Sequence, residues 1–350
     1  MREKDLEPKK ILVLQTAFIG DVMMITPLLD SLHRGFPEAE IQLLASPPAS
    51  EMMKGDPRIN QVISYDKRKR EAGLFSFLSL MGRVRRGGFD LLISPHRSAR
   101  SRILALASGI PVRIGFGSSP SLAFNRVVDP SLIPKTTQQY TSLLQPLGLN
   151  GGDPTPSLPL LAEEEKEAET IIYRVAGETT GLKIGIAPGS VWPTKRWLWE
   201  SFAGLAGRLI DELPAAVFLV GGKDDSSLGE DIAREVGRPE LVNLIGQLPL
   251  RISAAVIGRM DAMVTNDTGL LHVARSQDIP TVSIFGATTH SLFIYGPRDR
   301  PLVPEIECHP CSVHGSVSCP EGHFDCMREI GVDQVFEALR LALERPGAEG

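Results

Sequence analysis

Short apolar runs alternate with amphipathic stretches along most of the chain, and that alternation restricts the fold more than any single motif does. Ile11-Leu12-Val13-Leu14 and Leu91-Leu92-Ile93 are continuous apolar runs, the pattern of parallel strands covered on both faces. In the first half, strands are expected at 11–16, 40–46, 61–66, 90–96, 111–116 and 125–129, with helices at 21–34, 73–84, 98–108 and 136–147. The second half repeats the pattern, with strands at 183–187, 215–221, 241–245, 262–266 and 281–285. Its helices fit 162–175, 198–212, 226–236, 251–259, 269–276 and 331–344. Such alternation predicts doubly wound α/β sheets, two in tandem. The Gly- and Pro-rich segment 148–162 is the best linker, so domains are expected at 1–160 and 161–330. The final helix, within 331–350, is expected to pack back on the N-terminal domain.

A chain of 350 residues is long for one core, and 42% hydrophobic with 23% charged residues is the composition of a soluble globular protein. Asp21 and Asp30 break the apolar stretch near the start, which rules it out as a membrane span. No signal peptide is read there, so a cytoplasmic protein is expected. The net charge of −5 hides an imbalance. Residues 67–113 hold eleven Lys and Arg against Glu71 and Asp90, leaving the rest of the chain at −14. A basic block of that size points to a phosphorylated or membrane-borne ligand. It opens with Lys67-Arg68-Lys69-Arg70, just before the apolar residues 74–81, a combination suited to an anionic membrane face.

Three turns have the form of ligand-binding strand-to-helix junctions. At Asn266-Asp267-Thr268-Gly269 a strand ends and a helix begins, with His272 one turn in. Gly269 permits close backbone approach, and the free N–H groups of the new helix favour an anion. A second junction, Ala187-Pro188-Gly189-Ser190, precedes Lys195; the third is Thr16-Ala17-Phe18-Ile19-Gly20-Asp21. Ligands of doubly wound sheets sit outside the carboxyl ends of the strands, where all three lie. Gly189, Ser190 and Lys195 suit a diphosphate, and Gly221 with Gly222 suit the nucleotide side. The sequence contains no Asp-x-Asp, so the leaving-group charge is expected to be met by helix ends, hydroxyls and Lys195 rather than by a metal.

All four cysteines fall within 308–326, as Cys308-x2-Cys311-x7-Cys319-x6-Cys326, with His309, His314 and His323 interleaved. A reduced, packed loop is expected, with structural zinc at the four cysteines as the less favoured alternative.

Taken in order, Ile-Leu-Val-Leu-x5-Gly-Asp, Ala-Pro-Gly-Ser-x4-Lys-Arg-Trp, Val-Gly-Gly-x-x-Asp, Asn-Asp-Thr-Gly-x-x-His and Ile-Phe-Gly resemble the ADP-heptose:lipopolysaccharide heptosyltransferases of glycosyltransferase family nine. The resemblance covers about residues 10–345, and the cysteine-rich tail is similar to the heptosyltransferase II branch. It implies a GT-B fold, two Rossmann-like domains facing a central cleft, with the acceptor on the first and the nucleotide sugar on the second. It places Asp21 as the general base of an inverting transfer and Asp267, Thr268, Gly269 and His272 around the donor. Arg97, Arg100, Arg102 and Arg113 then become candidate contacts to anionic groups of the acceptor. The implied donor is ADP-heptose and the acceptor the lipopolysaccharide inner core, at the inner face of the inner membrane. No cofactor and no nucleic-acid partner are expected. The chain departs from the family pattern at 246–253 and at Leu270-Leu271, both on the nucleotide side. Alternatives are another nucleotide sugar or acceptor within the family, or a nucleotide-sugar epimerase or hydrolase on the same fold.

Overall fold

A computed structural model describes residues 6–66, 73–177 and 181–344; Lys67–Arg70, read above as a basic run, lie outside them. The chain divides into two units, Met1–Pro159 and Leu160–Gly350. In the first, strands β1 (Lys10–Gln15), β2 (Glu40–Ala45), β3 (Gln61–Ser64), β4 (Leu91–Ser94), β5 (Val112–Phe116) and β6 (Arg126–Val128) form one parallel sheet in the order β3-β2-β1-β4-β5-β6. Ile11 to Leu14 are buried because helices cover both faces of β1. The strand order reverses between β1 and β4, so the loops after these two strands open a crevice at the sheet's carboxyl edge.

The second unit repeats the design with β7 (Leu182–Ala187), β8 (Ala215–Leu219), β9 (Leu241–Asn243), β10 (Ala262–Asn266), β11 (Thr281–Ile284) and β12 (Arg300–Leu302), all parallel, in the order β12-β11-β10-β7-β8-β9. Its switch point lies between β7 and β10, directly beyond Ala187 and Asn266. Strand β12 was not expected. Arg-Pro-Leu lacks the β-branched run of a buried strand, and Pro301 is tolerated because the strand stands at the sheet edge.

Prolines break two of the expected helices. The helix expected at 21–34 is two, Ile19–Met24 and Thr26–Gly35, with Pro27 in the first turn of the second and the Thr26 hydroxyl donating to the Met23 carbonyl at 2.7 Å. Likewise 136–147 resolves into Thr136–Ser142 and a single 3₁₀ turn at Gln145–Leu147 around Pro146.

In the terminal helix Val332–Leu343, the buried residues Val335, Phe336, Leu339 and Ala342 belong to the core of the second unit, with Ile184, Phe202 and Ile284. Arg208 secures it, stacking over the Phe336 ring at 3.9 Å and pairing with Asp333 at 2.6 Å. In the first unit, the buried Arg58–Asp56 pair holds the carbonyl of Ser157 at 3.0 Å and its hydroxyl at 2.8 Å, which anchors that part of the 148–162 segment there.

Candidate active site

Asp21 lies in the first turn of the helix Ile19–Met24, just past the end of β1. Its Oδ2 accepts the backbone N–H of Phe18 at 3.2 Å, which closes the helix start, and its Oδ1 accepts the Tyr140 hydroxyl at 3.2 Å. Tyr140 comes from the helix Thr136–Ser142 and is buried. Burial, then the nearby Asp21 charge, raises its pKa far above that of a free phenol, so it stays a proton donor to Asp21. Sequence reasoning missed Tyr140, because 119 residues separate it from Asp21 and only tertiary packing joins them.

Across the same crevice, the loop after β4 supplies His96 and Arg97. His96 Nδ1 lies 3.1 Å from the Thr16 hydroxyl and 2.9 Å from that of Ser101, which ties the β4 loop to the β1 loop. Ser98 caps the helix Ala99–Ala107 through the Ser101 N–H at 3.2 Å. Arg97 stacks over Phe116 at 4.3 Å and donates to Gln139 at 2.8 Å. With Ser94, His96, Arg102, Phe116 and Phe124 it lines a cavity of about 110 Å³. Arg100 turns aside towards Tyr65, at 3.4 Å, and the Phe77 ring.

Arg113 stands near the start of β5, at the end of the sheet opposite Asp21, and its guanidinium donates to the carbonyls of Ile110, Leu122 and Ala123, bracing that loop.

In the second unit the switch point brings together the turns after β7 and β10. Buried Asn266 joins them, donating to the Pro188 carbonyl at 2.7 Å and accepting the Trp197 N–H at 3.0 Å. Lys195 Nζ pairs with Asp267 Oδ2 at 2.6 Å, their side chains 14% and 9% exposed. Asp267 and Thr268 are not the ordinary cap residues they resemble. The Thr268 side chain makes no cap bond to the helix Gly269–Ser276, and the Asp267 carboxylate is taken by Lys195 and the Thr288 hydroxyl. His272, one turn in, is buried edge-on to Phe293 at 4.9 Å, and its Nδ1 makes no hydrogen bond among the described residues. Burial drives its pKa down to about 4, against the pull of Asp267.

Gly189 owes its lack of a side chain to a neighbour: a Cβ there would overlap the Asp225 carboxylate. Asp225 lies 3.8 Å from Arg196, whose Nε donates to the Ser190 carbonyl at 2.8 Å. Burial raises the Asp225 pKa, with Arg196 opposing. Gly221 and Gly222 lead from β8 into the 3₁₀ turn that carries Asp225. Asp225 was present in the Val-Gly-Gly-x-x-Asp motif, but nothing in the spacing told that it fills the space beside Gly189.

The cysteine-rich loop packs against the same turn. Thr194 and Ser316 exchange hydrogen bonds, with Ser316 N–H to Thr194 Oγ1 at 2.8 Å, and Gly315 in the left-handed region at φ 89° leaves no room for a side chain beside Lys195 and Trp192. Cys308, Cys311, Cys319 and Cys326 are free thiols, and burial pushes that of Cys326 up to about 11. Among the described residues no three His, Cys, Asp or Glu side chains are arranged to hold a metal ion, and the alternative of zinc at the four cysteines has no such geometry behind it.

Two parallel α/β units, each with polar groups gathered at its own switch point, are the GT-B type of glycosyltransferase. A family model, Glycosyltransferase family 9 (heptosyltransferase), matches residues 77–319, and the chain belongs to that family. Lipopolysaccharide heptosyltransferase 2 of Escherichia coli K12 is 28% identical over 291 residues, spanning 80% of this chain and 83% of that protein. Among solved structures, Escherichia coli ADP-heptose LPS heptosyltransferase II is similar with a TM-score of 0.72 at 24% identity, covering 95% of this chain and 98% of its own. A family 9 glycosyltransferase of Veillonella parvula reaches a TM-score of 0.79 at 22% identity, covering 96% and 97%.

Proposed function

We propose that this glycosyltransferase moves heptose from ADP-heptose to an inner-core sugar of lipopolysaccharide, by a single displacement with inversion and without a metal. The observation that carries the reading is a division of labour. One carboxylate, Asp21, stands at the switch point of the first unit, and one partly buried cation, Lys195, at that of the second. An acceptor hydroxyl attacks the anomeric carbon as Asp21 takes its proton; the bond to the β-phosphate oxygen breaks and ADP leaves. Lys195 and the N–H groups at the start of the helix Gly269–Ser276 meet the charge on the leaving diphosphate. Gly189, Ser190, Gly221, Gly222, Asp267, Thr268, Gly269 and His272 line or support the donor side. Arg97 and Arg102 hold anionic groups of the acceptor, with Arg100 beside them. The reaction is placed in the cytoplasm, at the inner face of the inner membrane; no helix among the described residues is long and apolar enough to cross it.

The relatives' names support the heptosyl reading, and the absence of Asp-x-Asp supports a metal-free one. The test is Asp21→Ala. Transfer should fall by ~10²–10⁴-fold while ADP-heptose still binds, and EDTA should leave the wild-type rate unchanged. Near-normal turnover of the variant with saturating acceptor reduces Asp21 to a helix-start residue. Activity lost to EDTA and restored by Mg²⁺ overturns the metal-free step. A thermal-shift comparison of ADP-, UDP-, GDP- and dTDP-sugars separates ADP-heptose from the other donors.

A further inference from the structure

We propose that the outer faces of helices Leu74–Arg86 and Ala99–Ala107 form a docking surface for an anionic lipid bilayer, an inference that rests on the lipid-linked acceptor proposed above. The first helix buries Leu80 and Val84 and turns Leu74, Phe75 and Leu78 to solvent, 69%, 88% and 47% exposed. The second buries Leu104 and Ala105 and presents Ile103 and Leu106, about half exposed. Both helices cover the same core on one face of the first sheet, and Arg100 bridges them by stacking over Phe77 at 6.0 Å. Five large apolar side chains therefore stand on adjacent helices, more than scattered surface residues require.

The charge around them has one sign. Neither helix carries an acid, and Arg83, Arg85, Arg86, Arg100 and Arg102 are all exposed. A second copy of the chain on this face would set like charges against each other. An anionic leaflet attracts all five arginines and takes the Leu, Ile and Phe side chains among its acyl chains.

Placement agrees with use. The helix Leu74–Arg86 runs back from the carboxyl end of β3 to the start of β4, so Leu74, Phe75 and Leu78 lie at the carboxyl edge of the sheet. The helix Ala99–Ala107 begins at that same edge, immediately after Arg97. An acceptor whose lipid end stays in the bilayer is thus presented to the edge that carries Asp21 and Arg97.

Sedimentation of the full-length protein with vesicles tests this, using equimolar phosphatidylglycerol and phosphatidylcholine against phosphatidylcholine alone. Binding should be about tenfold or more stronger to the anionic vesicles and should weaken as salt rises. Phe75→Ser with Leu78→Ser should lower it by about tenfold or more. Arg85→Glu with Arg86→Glu should lower it to a similar extent and remove most of the salt dependence. Both pairs should keep the wild-type melting temperature and the wild-type rate on a short, delipidated acceptor saccharide. Wild-type protein left in the supernatant at low salt overturns the surface, as do equal binding to both vesicle types and variants that sediment like wild type. Wild-type protein that transfers heptose but binds no vesicles condemns the surface alone. Vesicle binding that the variants lose, without any heptose transfer by wild type, upholds the surface and sinks the acceptor reading instead.

Discussion

Lys195 Nζ lies 2.6 Å from Asp267 Oδ2, and that oxygen also accepts the Thr288 hydroxyl at 2.6 Å. Three segments, the turns after β7, β10 and β11, therefore converge on one carboxylate. At the proposed donor site, a diphosphate would meet an ammonium that is already paired and would have to share it with Asp267.

Lys195→Ala should consequently do two things. ADP affinity should fall by about 10–100-fold, the loss of one charge-assisted contact. Stability should fall by about 3 kcal/mol, because Asp267 is left buried and uncompensated. Adding Asp267→Asn should return most of the stability and none of the ADP affinity. Calorimetry of ADP binding and thermal melts separate the two; a double variant that regains ADP binding would move the phosphate site elsewhere.

Tyr140→Phe tests the other switch point. The variant removes a hydrogen bond to Asp21 and keeps the ring that packs 6.4 Å from Phe116. Turnover should fall about tenfold or more, the cost of one hydrogen bond to a charged group, while ADP-heptose affinity stays as it was. A donor-binding defect with normal turnover would contradict a positioning role.

His272 makes the second unit sensitive to acid. Its pKa in the fold is about 4, below its ordinary value of 6.5. The stabilisation is therefore full above pH 6.5 and is lost as pH falls towards 4, by about 3 kcal/mol if this group acts alone. His272→Phe should flatten the melting temperature over that interval. An unchanged slope in the variant assigns the acid sensitivity to the carboxylates.

Arg97→Ala with Arg102→Ala should raise the acceptor KM by about tenfold or more and leave ADP affinity unaltered. The defect should shrink as salt rises, because screening weakens the wild-type contacts. An acceptor KM that stays put would leave the cavity of about 110 Å³ as a packing feature.

How much of this was legible in the sequence depends on range. All strands but β12 announced themselves through apolar runs such as Ile11–Leu14, and the glycines and polar residues following them marked the switch points. Pro27 and Pro146 were visible, yet helix periodicity continued through them and concealed the breaks. Tyr140 and Thr288 left no local trace, since each reaches its carboxylate only through the folded chain. Charge alone did not say which end of its strand Arg113 occupies. The terminal helix shows the same limit: its apolar face needs a core, and the sequence does not say which core it joins.

Gly189 and Asp225 carry a consequence for descent. The space denied to a side chain at 189 holds the carboxylate of 225, which faces Arg196. Enlarging residue 189 pushes that carboxylate aside, and shortening residue 225 leaves the glycine with no reason to remain. Two loops 36 residues apart in the chain are thus expected to be inherited as one character. Across descendants of this sequence, the two positions should change together or not at all.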